Sequence, residues 1–161
     1  VMDRPPRPKT QRLLGGGRLL HAYGFLGVAE AALSLAAFFW TYWVAGWRPG
    51  LSMARTGALY RRATTMTLAG IVATQVGNVF ACRTDRESVL RVGLLANRLA
   101  LGGIAAELAI LLALILLPPF PYVFGLAPLA FAEWGVLLLF PPAVLLLEEG
   151  RKWVVRRTRP R

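Results

Sequence analysis

Carboxyl and carboxamide side chains stand within largely apolar stretches at Glu30, Gln75, Asn78 and Glu107. An ionised carboxylate at the centre of a membrane helix costs about 2.5 to 3.5 kcal/mol on insertion scales. Glu30 and Glu107 must therefore be protonated, paired or turned toward a polar cavity. Gln75 and Asn78 are three apart and share a helix face. Their two neutral oxygens suit a hard cation such as Na⁺ or Ca²⁺. The same amides also serve as hydrogen-bonding glue between helices, and periodicity does not separate the two roles. Glu30 belongs to a stripe, Tyr23, Gly27, Glu30, Ser34, Ala37 and Thr41, that is small or polar and should face protein. That stripe fits a packing seam with one buried hydrogen bond as well as a functional carboxyl. Gly70, Ala73, Gly77 and Ala81 would let a neighbouring helix come close.

The elements that carry these residues read as membrane spans. A spanning helix needs about 20 predominantly apolar residues. Four segments qualify: 22–44, 63–82, 99–117 and 131–147. The last is short, and Pro141 and Pro142 should kink or split it. The chain is 56% hydrophobic over 161 residues, too apolar for an ordinary soluble domain. The expected fold is an all-α integral membrane protein, a four-helix transmembrane bundle at residues 22–147 between a basic N-terminal segment (1–21) and a basic tail (148–161). Trp40, Tyr42, Trp43 and Trp47 at the end of the first span, with Trp134 and Trp153 around the fourth, are expected at the headgroup level.

Charge sets the orientation. The 19 Lys and Arg residues lie between the apolar runs, a pattern of membrane topology and not of nucleic-acid binding. With the N-terminus inside, fifteen are cytoplasmic and four external, so both termini are expected in the cytoplasm of a multi-pass cell-membrane protein. Arg48, Arg55, Arg61 and Arg62 are the four that go against the rule. One Cys and one His exclude a disulfide framework and a thiolate or histidine metal cage. Cys82 and His21 read as structural residues without partners, Gly15–Gly17 as a flexible linker, and Arg83–Glu87 as a solvated loop. Neither a Walker A motif nor an Asp-Lys-Thr-Gly-Thr phosphorylation sequence occurs, so no catalytic residue or cofactor is expected in this chain. It starts at Val1 and reads as a piece of something longer.

The stretch ATQVGNVFACRTDRESV (73–89) resembles the eighth membrane helix and following loop of P-type cation ATPases. LLPPFPYVFGLAPLAFAEW (116–134) looks like their ninth-to-tenth external loop, EEGRKWVVRR (148–157) the end of their tenth helix, and MDRPPRP (2–8) the loop before their seventh. The pieces stand in the family's order and cover nearly the whole chain. The resemblance implies helices seven to ten of a type II, calcium or sodium/potassium-like pump, a bundle that supports the transport core. It places Gln75 and Asn78 at helix-eight positions and Glu107 at a helix-nine glutamate, which in the sodium pump branch help line an ion site. A neutral Gln75 stands where the calcium pump has a ligating glutamate, and Asn78 replaces an acid of the sodium pump, which removes charge that favours Ca²⁺. The implied partners are the remaining pump domains, a monovalent or divalent cation and membrane lipids, with ATP and Mg used by the parent. A free-standing small membrane protein that regulates a pump, and a basic adaptor that binds anionic lipid, are the competing readings.

Overall fold

The computed structural model describes residues 16–83, 93 and 97–158. All regular structure among them is helical. The chain enters through α1 (Gly16–Leu19), winds through a π-helical stretch (Leu20–Gly27) and continues as α2 (Val28–Val44). Then follow α3 (Gly57–Ala81), α4 (Arg98–Leu116), the short α5 (Phe120–Phe124), α6 (Phe131–Leu137) and α7 (Phe140–Thr158). Gly16 thus opens a helix, where a linker was expected, while the N-terminal MDRPPRP run and the Asp85–Glu87 loop lie outside the described residues.

Among the described residues, three helical runs are long and apolar enough to cross a membrane: Leu20–Val44, Arg98–Leu116 and Phe131–Thr158. The 25-residue α3 is long enough but falls short in apolarity, because Thr64, Thr65, Thr67, Thr74, Gln75 and Asn78 dilute it. It compensates by position. α3 packs along both α2 and α7 and buries Ala63, Met66, Ala69, Gly70, Gly77 and Ala81. Its buried hydroxyls are satisfied within the helix: Thr65 Oγ1 donates to Arg61 O at 2.7 Å and Thr74 Oγ1 to Ile71 O at 2.8 Å. A helix that holds its own polar groups needs less hydrophobic surface once protein, not lipid, surrounds it.

The expected break near the prolines is present, one turn before them. α6 ends at Leu137 and α7 begins at Phe140, so Pro141 and Pro142 occupy the first turn of α7, where a missing N–H costs no intrahelical bond. α7 then runs on to Thr158, well past Leu147. α4 is the peripheral helix. Only Leu111 and Ile115, toward its C-terminal end, are buried, and Asn97 caps its start by accepting from the N–H groups of Leu99 and Ala100 at 3.1 and 3.2 Å.

The aromatic cluster divides. Trp43 is exposed under the Arg48 guanidinium at 4.3 Å, as suits an interfacial anchor. Tyr42 does not belong with it. It is buried, and its hydroxyl donates to Ala54 O, pinning the loop after α2.

Candidate functional site

Small and polar residues on α2 and α3 form the central seam. Ser34, Ala37 and Thr41 are buried as the stripe predicts, with Glu30 half-buried above them. Tyr23 departs from it and is 75% exposed. The stripe assumes α-helical winding, whereas residues 20–27 wind in the wider i to i+5 pattern and turn Tyr23 outward. Gly70 lies against Ser34, and Asn78 Nδ2 donates to Glu30 Oε1 at 2.8 Å. Cys82 Sγ donates in turn to Asn78 Oδ1 at 3.6 Å, so the amide is engaged on both sides. Ser34 Oγ is, among the described residues, the one buried side-chain polar atom without a partner.

Each end of the bundle is closed by charge. Where α3 begins, Arg62 Nε donates to Glu133 Oε1 at 2.7 Å, and Glu133 Oε2 accepts from Ala130 N at 2.6 Å, capping α6. This pair neutralises one of the arginines that count against the charge rule. Where α3 ends, Glu148 is buried at 1% exposure. Arg151 binds it through Nε and Nη2 at 2.8 and 2.6 Å, and His21 Nε2 lies 2.8 Å from Oε2. Lys152, at 0% exposure, donates to Ala81 O at 2.9 Å and lies 3.8 Å from Glu148. One clasp thus joins the start of the first span, the end of α3 and α7. His21, expected to have no partner, is part of it. The signal was present as Glu148-Glu149-Arg151-Lys152, but nothing in spacing links that run to His21, 127 residues away.

A family model described as "Cation transporting ATPase, C-terminus" matches residues 1–154. The chain belongs to that family. Calcium-transporting ATPase 1 of Yarrowia lipolytica is 25% identical over 97% of this chain, and its namesake in Schizosaccharomyces pombe 27% over 98%. A probable cation-transporting ATPase F of Mycobacterium bovis is 28% identical over 91%. The chain spans only about 15% of the length of these relatives. By sequence it is a C-terminal domain of the cation-transporting ATPase family, and its described residues are helical, with runs long and apolar enough for a multi-pass membrane protein.

Within this ATPase domain the residues singled out by spacing are not gathered at one point. Asn78 is tied to Glu30 of α2. Gln75, three residues earlier, is exposed, and Glu107 is half-buried on peripheral α4. Neither has a hydrogen-bond or ion-pair partner among the described residues. The amide pair therefore splits, one member into the bundle and one onto its surface. No group of three or more His, Cys, Asp and Glu residues that could hold a metal occurs among the described residues.

Proposed function

We propose that the chain is the C-terminal membrane bundle of a P-type pump, bracing the transport core while the parent's other domains use ATP and Mg to move a cation. The family match over residues 1–154 carries this reading, together with the small share of each relative that the chain spans. The bundle suits a brace: α3 is gripped along two neighbours, tied by the Arg62–Glu133 ion pair near its start and by the Lys152 hydrogen bond to the Ala81 carbonyl at its end. Its activity is structural, since the sequence holds no phosphorylation motif. The reading places four spans across the membrane, α3 included, with residues 22–147 as the membrane domain and lipid against the exposed apolar side chains of α4.

The ion-site part of the proposal rests on the uncommitted groups. Gln75 and Glu107 have no partner within the bundle and are free to complete a polar lining with other helices of the pump. Asn78 would join it from the seam, held by Glu30. The pump expressed without this segment should show no cation-stimulated ATP hydrolysis, and supplying the chain in trans should restore it. With Glu107→Gln the restored pump should transport with an altered pH dependence at unchanged folded yield. Full hydrolysis without the chain would overturn the bracing role, and wild-type transport by Glu107→Gln at every pH would overturn the ion-site role.

Orientation follows the charge split of fifteen to four. Reporter fusions after Arg12 and after Arg161 should both read cytoplasmic, and one near Leu126 external. A C-terminal fusion that reads external would reverse the assignment.

A further inference from the structure

Glu30 lies two residues from the middle of the 25-residue helix Leu20–Val44, about 3 Å along its axis and so near the bilayer centre. Its carboxyl is half satisfied. Oε1 accepts from Asn78, while no bond to Oε2 is present among the described residues. One turn further along α2 stands Ser34, 3% exposed, with an unpartnered hydroxyl against the Gly70 backbone. Native interiors rarely leave such a hydroxyl unpaired, and each instance calls for a physical reason. Residues four apart on a helix have Cβ atoms about 5 to 6 Å apart, within reach of a glutamate rotamer change.

The geometry points to Glu30 as a reversible proton-binding site in the middle of the membrane, with Ser34 as its second hydrogen-bond station. In the position described, the carboxyl faces Asn78. When a proton from water bonds to Oε2, the neutral acid swings one turn along α2 and its O–H donates to Ser34 Oγ, which fills the orphan. Loss of the proton returns the carboxylate to the Asn78 amide. Among the described residues, the other ionisable groups on this side are the Cys82 thiol and Arg83 at the end of α3, His21 at the start of the same span, and Glu148, Glu149, Arg151 and Lys152 on α7. Of these, His21, Glu148, Arg151 and Lys152 are bonded to one another or to Ala81, and only Cys82 reaches Glu30, through Asn78. The site is separate from the Gln75 and Glu107 proposal and does not depend on the pump reading.

The test is infrared spectroscopy of the full chain in phosphatidylcholine vesicles, following the carbonyl band of a protonated carboxyl as pH is raised. The wild type should show the band and lose it as Glu30 ionises. Glu30→Gln, which keeps the amide contact and cannot titrate, should abolish the band, while Glu107→Gln should keep it. Ser34→Ala, a small change in a packed seam, should move the band to higher frequency by removing the hydrogen bond. A band with no component lost in Glu30→Gln, or one whose Glu30 component vanishes in Glu107→Gln, overturns the assignment. An unshifted band in Ser34→Ala overturns the two-station scheme.

Discussion

Glu148→Ala should lower the stability of the bundle by about 3 to 5 kcal/mol, the scale seen when one member of a buried ion cluster is removed. The loss is large because of what stays behind. Arg151 and His21 lose a shared acceptor, and Lys152, with no exposed surface, loses the nearby Glu148 carboxylate while keeping the Ala81 carbonyl at 2.9 Å and Glu149 at 3.7 Å. Lys152→Met should cost less, about 1 to 3 kcal/mol, the penalty of an orphaned carbonyl, because Glu148 still has Arg151 and His21. Arg151→Ala should fall between them. Thermal unfolding of the three variants in detergent, with folded yield measured alongside, checks the order. A Glu148→Ala protein as stable as Lys152→Met would mean that the cluster is not the clasp described.

Gly77→Ala should cost about 1 to 3 kcal/mol, and Gly77→Leu should prevent α7 from docking on α3. A Cβ at Gly77 would sit 2.7 Å from Pro141 O and 3.0 Å from both Pro141 Cα and Val144 Cβ. The first two are backbone at a proline, so relief requires moving the helix. The neighbouring positions give the contrast. At Gly70 the nearest atom is Phe140 Cε2 at 3.2 Å, the edge of a ring that can tilt, so Gly70→Ala should be mild. At Gly102 nothing lies within 4 Å, and Gly102→Ala should gain about 0.5 to 1 kcal/mol from helix propensity alone. Melting temperatures that rank Gly77, Gly70 and Gly102 in any other order would contradict the α3–α7 packing.

Gly77 also illustrates what the sequence could supply. A glycine and alanine face on the second apolar segment announced a close approach, but not which helix makes it, since α2, α4 and α7 all carry small residues. The partner depends on tertiary packing, to which a period of 3.6 is blind. The helical class was legible because length and apolarity decide it. The break before Pro141 was legible too, because backbone chemistry forces it. Tyr23 was misjudged because the wider winding of residues 20–27 takes it out of register with the α-helical face that follows. The candidate site was legible only in its residue types. Glu30 and Asn78 each stood out as polar groups in apolar runs, yet their pairing across 48 residues could not be read from either alone. His21 was overlooked for the same reason: its partner is near the far end of the chain.

The reach of Lys152 back to Ala81 bears on how the bundle is assembled. The two are 71 residues apart, so α3 is synthesised well before the side chain that seals its last turn. α3 is also the helix least suited to lipid, and Asn78 can find Glu30 while α7 is still missing. Until α7 is made, the α2–α3 pair has its half-buried Asn78–Glu30 bond but lies open along the side where Gly77 packs. Insertion of α7 closes it at Gly77 and Ala81 together. A ribosome stalled between Leu117 and Phe140 would leave that groove facing lipid, where membrane quality control can distinguish an unfinished bundle from a finished one.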